Sequence, residues 1–401
     1  MLFSPAKTPP RLATIILLTG MSLLSLNMFL PALAEMATSF EVSYGTMNLA
    51  LGGYLAVAAA MQLLFGPLSD RYGRRPVFLV TTILFTVVSI GGLLAQNFWV
   101  FFAYRLLQSA IVSGMVLGRA VIRDTSTQEE AASLLGYVAM VMALAPMLGP
   151  LAGGIMADIW GWRSIYVLYS VLGAVCIWLI WVDVGETNQT KSDSFKAQFR
   201  QYPELFKSRR FWGYTVAMTF AVGSFYAFIA GAPLVSERLF NLSPAMLGAG
   251  IGSISFGFMF GNFIAGRFTR TVGLAGIMWV GRVFALAGPL AGLLLAVGGV
   301  SNLWLYFGCI LGVGFGNGLT LPGANAGVMS VRPHLAGSAS GVSGALTIAG
   351  GALVTTVTGW CLTLWQPLIV HLGIIVLCSV IAMLGIGYVN RIDRLEGQID
   401  G

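Results

Sequence analysis

Four charged side chains crowd into one stretch, Gly66-Pro-Leu-Ser-Asp70-Arg71-Tyr-Gly73-Arg74-Arg75-Pro76, of a 401-residue chain in which only 9% of residues are charged. A carboxylate among three guanidiniums can form ion pairs, and partial burial strengthens them. Gly66 and Gly73 suit a tight turn around them. A second polar pair, Arg105 and Gln108, lies inside an apolar run. A guanidinium stays protonated and carries five donors, so there it must find acceptors, rings or water. The chain has no H-E-x-x-H, no G-x-S-x-G and no G-x-x-x-x-G-K. Its two histidines, His334 and His371, stand far apart, and Cys176, Cys309, Cys361 and Cys378 lack metal-type spacing. The available chemistry is ion pairing and ligand binding. No enzyme activity, metal or cofactor is expected.

The elements that carry these residues must be apolar. Hydrophobic residues make up 57% of the chain, and runs of 18 or more recur from end to end, each able to cross about 30 Å of hydrocarbon. The expected fold is an all-α membrane protein with the lipid bilayer as its surroundings. Marking the runs gives twelve spans, at roughly 12–34, 45–66, 76–95, 98–120, 131–157, 162–183, 211–234, 244–266, 275–299, 302–328, 338–361 and 366–389. The first has no small-residue cleavage site after it and reads as a retained span. Seventeen Lys and Arg fall at the two ends and in the even-to-odd connections, against two, Arg163 and Arg238, in the opposite loops. The positive-inside rule then puts both termini in the cytoplasm. This bias accounts for most of the net charge of +7. No basic patch with interleaved aromatics suggests a nucleic-acid partner.

The longest polar interval, 184–210, carries six Lys and Arg and divides the chain into an N-terminal bundle, 1–183, a linker, and a C-terminal bundle, 211–401. At an offset of 200 residues eight glycines meet glycine, among them Gly66 with Gly266 and Gly73 with Gly273, where chance gives about three. Parallel six-span repeats of this kind place a site between the halves.

The stretch 66–76 fits G-x-x-x-D-R-x-G-R-[KR] at every fixed position and resembles the signature loop of the major facilitator superfamily. That resemblance implies two pseudo-symmetric six-helix bundles. It also implies a cytoplasmic latch between them built from Gly66, Asp70, Arg71, Gly73, Arg74 and Arg75, with Arg270 standing where Asp70 stands in the first repeat. Ala145–Gly154, APMLGPLAGG, is similar to the motif of the antiporter branches; Pro146 and Pro150 would bend the span while Gly149, Gly153 and Gly154 leave a groove. With Arg105-x-x-Gln108, SLNMFLPALAEM in span 1, GRAVIRD and GWRSIY, the chain resembles the bicyclomycin- and chloramphenicol-resistance (Bcr/CflA) drug:proton antiporters. Multidrug efflux through a bacterial inner membrane is what that branch implies, from a chain expected to be a monomer.

The same resemblance has spans 1, 4, 7 and 10 line a central cavity. At 100° per residue Arg105, Gln108, Ser109, Arg119 and Arg123 form one polar stripe on span 4. A charge in hydrocarbon costs at least about 2.5 kcal/mol, so the stripe should face water or protein. Further cavity candidates are Asn27, Tyr54, Gln62, Tyr226, Asn317 and Asn325, each also suited to interhelical hydrogen bonding. Span 1 departs from the branch pattern, with Asn27 where an aspartate is usual, and none of the fifteen acids falls mid-span. Either a peripheral acid such as Asp70 or Asp124 carries the proton, or coupling is altered or absent; Arg105 is a further coupling candidate. A cavity with arginine and no carboxylate favours neutral or anionic amphiphiles. The alternatives are a facilitator or proton symporter of a neutral or anionic metabolite, and an embedded sensor with no flux.

Overall fold

The computed structural model describes residues 10–188, 202–332, 335–363 and 366–395, with some side chains, Arg270 among them, outside the description. Lys191, Lys196 and Arg200 of the expected linker, and His334, lie outside the described residues. Every regular element described is helical, and the fold is the expected all-helical membrane type. Eleven helices are long and apolar enough to cross a bilayer: span 1 Leu12–Ser39, span 2 Tyr44–Tyr72, span 3 Arg74–Leu94, span 4 Phe98–Thr125, span 6 Arg163–Asp183, span 7 Arg209–Phe240, span 8 Pro244–Thr269, span 9 Leu274–Val297, span 10 Leu303–Ser330, span 11 Gly337–Cys361 and span 12 Pro367–Leu395. Span 5 is the 33-residue helix Gln128–Trp160, whose described apolar part is Leu144–Trp160.

Local chemistry fixes where spans begin. Span 5 opens on a capping box, Thr127 accepting from the Glu130 N–H while the Glu130 carboxylate accepts from the Thr127 N–H. Ser43 and Ser243, 200 residues apart, cap spans 2 and 8 in the same way. Just before them Glu41 and Asn241 both take positive φ, 53° and 49°. Gly73 and Gly273 break the chain at φ 104° and 79°, a region that favours glycine. Each set of six spans also ties its first span to its last through an aspartate. Asp183 accepts from the Arg11 N–H at 2.9 Å and Thr14 Oγ1 at 2.6 Å; Asp393 pairs with Arg210 and accepts from Tyr214 Oη at 2.9 Å.

Two spans are interrupted where it matters for the site. Span 1 stops at Asn27, passes through a 3₁₀ turn at Leu30–Ala32, and resumes at Leu33. Pro31 in that turn cannot donate to the helix ladder. Span 4 runs as Phe98–Gln108, a 3₁₀ turn Ser109–Val112, then Ser113–Thr125. Large apolar side chains such as Val80, Leu94, Leu294, Leu353 and Leu384 stay exposed and face lipid. Between spans the drive is close packing and not the hydrophobic effect, since lipid is as apolar as leucine.

Candidate functional site

A cavity of about 230 Å³ lies at the centre, walled by spans 1, 5, 7, 8 and 10. Its described polar side chains are Asn27, Tyr226, Ser255 and Asn317; Phe225 and Phe258 add aromatic wall, and no described lining residue is acidic. Asn27 Nδ2 donates to the Leu23 carbonyl at 2.8 Å, and its Oδ1 is buried with no partner. Ser255 Oγ is likewise buried and unpartnered. An amide oxygen and a hydroxyl in that condition are open to a ligand or water.

Towards the basic end, where the charged turn and the first and last described residues lie, the space widens into a vestibule of about 1030 Å³. Gln62, Arg119 and Asn325 line it, and Met142, Val222, Phe258 and Leu321 border both spaces. The opposite end is closed. Tyr44 Oη donates to the Ala230 carbonyl at 2.6 Å, Asn48 Nδ2 to the Ala230 and Thr355 carbonyls at 3.3 and 3.4 Å, and the Ala245 N–H to Asp158 Oδ2 at 3.1 Å. These bonds join spans 2 and 5 to spans 7, 8 and 11.

Span 4 does not line the central cavity, which corrects the expected placement of Arg105 and Gln108. Arg105 is 1% exposed. Its Nη1 donates to Gln108 Oε1 and its Nη2 to the Ser25 carbonyl, both at 2.8 Å. Its Cζ stands 4.0 Å from the Phe29 ring centroid and 4.3 Å from that of Tyr54. Gln108 Nε2 goes on to Ser89 Oγ on span 3. The pair therefore knits spans 1 to 4 together, and Tyr54 is the ring beneath it, not part of the cavity wall. The expected stripe fails because the 3₁₀ turn advances about 120° per residue instead of about 100°. Four such residues turn the lower half by roughly 80°, so Arg119 reaches the vestibule while Arg105 stays within the first six spans.

The charged turn binds its own half. Arg74, with its side chain 5% exposed, pairs with Asp70 at 2.6 Å and with Asp124 at 3.0 Å. Glu186 accepts from the N–H groups of Arg74 and Arg75 at 2.9 and 3.3 Å, an anion on the N-terminus of span 3. Arg75 reaches the Trp181 carbonyl at 3.0 Å. The bonds described here join spans 2, 3 and 4 to the segment after span 6, whereas the sequence implied a latch between the two bundles. The vestibule opens at this end. Arg71 lies over the Tyr72 ring at 5.5 Å, the Arg270 side chain is outside the description, and a Cβ on Gly66 would meet nothing within 4 Å.

A family model, the Major Facilitator Superfamily, matches residues 15–355. The chain belongs to the major facilitator superfamily. A chloramphenicol resistance protein of Pseudomonas aeruginosa is 29% identical over 407 residues, covering 96% of this chain and 92% of that protein. The multidrug transporter MdfA of Yersinia pestis is 30% identical over 312 residues, 76% and 74% of the two chains. Among solved structures, a bacterial homologue of the human lysosomal transporter Spinster, inward-facing and occupied, superposes with a TM-score of 0.77 at 16% identity over 97% of this chain and 98% of that one. The fold is thus that of a major facilitator protein, which binds small molecules and is not an enzyme.

In this major facilitator superfamily member the antiporter-like segment divides its glycines between two neighbours. A Cβ on Gly153 would stand 1.8 Å from the Met28 carbonyl oxygen, in span 1 of the same bundle. One on Gly154 would stand 2.2 Å from that of Pro244, in span 8. Gly149 faces Asn27 and Leu24 at ordinary contact distance, Pro146 lines the cavity, and a Cβ on Gly248 of span 8 would meet the Pro150 carbonyl at 2.3 Å. Sequence reasoning missed Glu186, which carries no motif. For Arg74, the double replacement Asp70→Asn, Asp124→Asn should strand a buried guanidinium and cost about 3–5 kcal/mol, read as a drop in melting temperature. Each single replacement should cost less than half of that. Additive small shifts would show that Arg74 needs neither carboxylate.

Proposed function

We propose that the protein is a secondary exporter of small amphipathic drugs or metabolites, of the Bcr/CflA type. It works by alternating access between two six-span bundles, residues 1–183 and 211–401, joined by the linker 184–210. The observation that carries this reading is the central cavity between spans of both bundles, continuous with an open vestibule at the basic end and shut at the other. The basic end is cytoplasmic in this reading, both termini with it, and the protein works as a monomer in a bacterial inner membrane. The names of its relatives, a chloramphenicol resistance protein and a multidrug transporter, support drug export. Substrate enters from the vestibule, meets Asn27, Tyr226 and Asn317, and leaves after the Tyr44–Ala230 and Asp158–Ala245 bonds part. The turn at Asp70 and the turn at Arg270 approach each other when the vestibule closes.

Protons are the counter-ion in this proposal, carried by Asp70 or Asp124 beside Arg74 rather than by a mid-span acid. The neutral lining of the cavity also supports a second reading, a facilitator or proton symporter of a neutral or anionic metabolite. Liposomes holding the full chain separate the two. Under an imposed pH gradient, uphill movement of a fluorescent amphiphile against the proton flow, abolished when the gradient is collapsed, is the result expected of an antiporter. Movement in the direction of the protons supports symport; flux indifferent to the gradient supports a facilitator, and no flux at all removes both readings.

A further inference from the structure

Arg282, in the middle of span 9, is wholly buried, and among the described residues no carboxylate pairs with it. Its Nε donates to Thr320 Oγ1 at 2.9 Å and its Nη2 to Asn317 Oδ1 at 2.7 Å, both on span 10. Its Nη1 has no partner among the described residues. Spans 9 and 10 touch backbone to backbone at this point, since a Cβ on Gly316 would stand 2.2 Å from the Gly281 carbonyl oxygen. A permanent cation buried against neutral acceptors alone is costly, and compensation from a bound anion removes part of that cost.

Asn317 is the link to the cavity. It lines the cavity, its oxygen is held by Arg282, and its Nδ2 donates to the Ala221 carbonyl of span 7 at 2.8 Å. That nitrogen carries a second N–H. With the guanidinium on its oxygen, the amide is polarised so that its donor end is strengthened. Across the cavity Arg105 is a second buried cation with only neutral partners described, bonded to the carbonyl of Ser25, two residues before the cavity-lining Asn27. Among the described residues, each bundle thus sets one positive charge without a paired carboxylate behind the cavity wall, and the described lining holds no acid to cancel it.

We propose that Arg282, acting through Asn317, makes the central cavity anion-selective, and that its ligand is a small amphipathic organic acid bearing one negative charge. This rests on reading the cavity as the transported substrate's site. Phe225, Tyr226 and Phe258 supply ring-stacking wall, and about 230 Å³ exceeds the roughly 150 Å³ that accommodates benzene in an apolar cavity. Arg282 is a specificity-determining residue in this scheme; Asn317 is the group that touches the ligand.

Three probes of one size and different charge test it: benzoate, benzamide and benzylammonium, added at constant ionic strength and pH 7 to the purified full-length protein, with melting temperature as the readout. Benzoate should half-saturate the shift at about tenfold lower concentration than benzamide, a difference of about 1.4 kcal/mol, and benzylammonium should give none. Arg282→Gln should abolish the preference, bringing benzoate to the level of benzamide. Asn317→Asp keeps the tie to Arg282 but cancels its charge; it should lose the benzoate preference and gain a response to benzylammonium. That variant decides the matter if Arg282→Gln does not fold. A parent that ranks the three probes alike, or ranks the ammonium first, overturns anion selectivity alone, as does a benzoate preference that survives Asn317→Asp. A parent that responds to none of them overturns the cavity reading together with the inference.

Discussion

Gly154→Ala is expected to abolish transport while leaving the protein folded. The added methyl would stand 2.2 Å from the Pro244 carbonyl oxygen and 2.9 Å from Ala245 Cα, far inside van der Waals contact. Both partners are backbone, so neither can swing aside. Because span 5 and span 8 belong to different bundles, the clash falls on the closed end and not within either core. Overpacking of this kind costs about 1–3 kcal/mol. At 1.4 kcal/mol per tenfold, the closed-end state then loses roughly five- to 140-fold in population. Cysteines placed at Asn241 and Thr38 should label faster in the variant, with an unchanged melting profile for each bundle. Gly153→Ala makes the informative contrast. Its methyl would meet the Met28 carbonyl within the first bundle, so it should lower yield and stability instead of shifting labelling. Parental labelling and flux in Gly154→Ala would mean that the two spans separate freely at that point.

Replacement of Arg105 should have the other large effect, and for a reason the sequence did not suggest. Arg105→Ala removes two hydrogen bonds from a charged donor, each worth about 1.5–3 kcal/mol, and leaves a void between the Phe29 and Tyr54 rings. Relief of the buried charge offsets part of this loss. Phe29 lies at the break in span 1, next to the helix end at Asn27, so the cavity wall should collapse with it. We expect flux to fall to background and melting temperature to drop. Arg105→Lys should not rescue either, because an ammonium cannot hold Gln108 and Ser25 in a planar fork while stacking on two rings. Full flux in Arg105→Lys would reduce the site to a simple charge.

The expected spans matched the helices to within a few residues at most ends because the bilayer imposes a local rule: a long enough apolar run becomes a helix wherever it occurs. The repeat was legible for a related reason. Ser43 and Ser243, Gly73 and Gly273 act through their own backbone neighbourhoods, so their spacing alone marks equivalent turns. Asn27, Tyr226 and Asn317 could be singled out as polar residues in apolar spans, since each had to find a partner or a cavity. Which of the two it found was beyond local reasoning.

The sequence by itself determined that this is a helical membrane protein, where its helices begin, and which charged turn sets its basic end. All of these follow from residues adjacent along the chain. Only the tertiary structure decided what each span's face meets. A four-residue 3₁₀ turn at Ser109–Val112 rotated Arg119 away from Arg105, and one extra residue's worth of twist is invisible in composition. Glu186 found the N-terminus of span 3 from 112 residues away, and Arg282 found Asn317 across a glycine contact between spans 9 and 10. Such pairings depend on helix rotation and interaxial distance. In lipid those are set by the packing of small residues between spans, a property of pairs of helices rather than of either sequence alone.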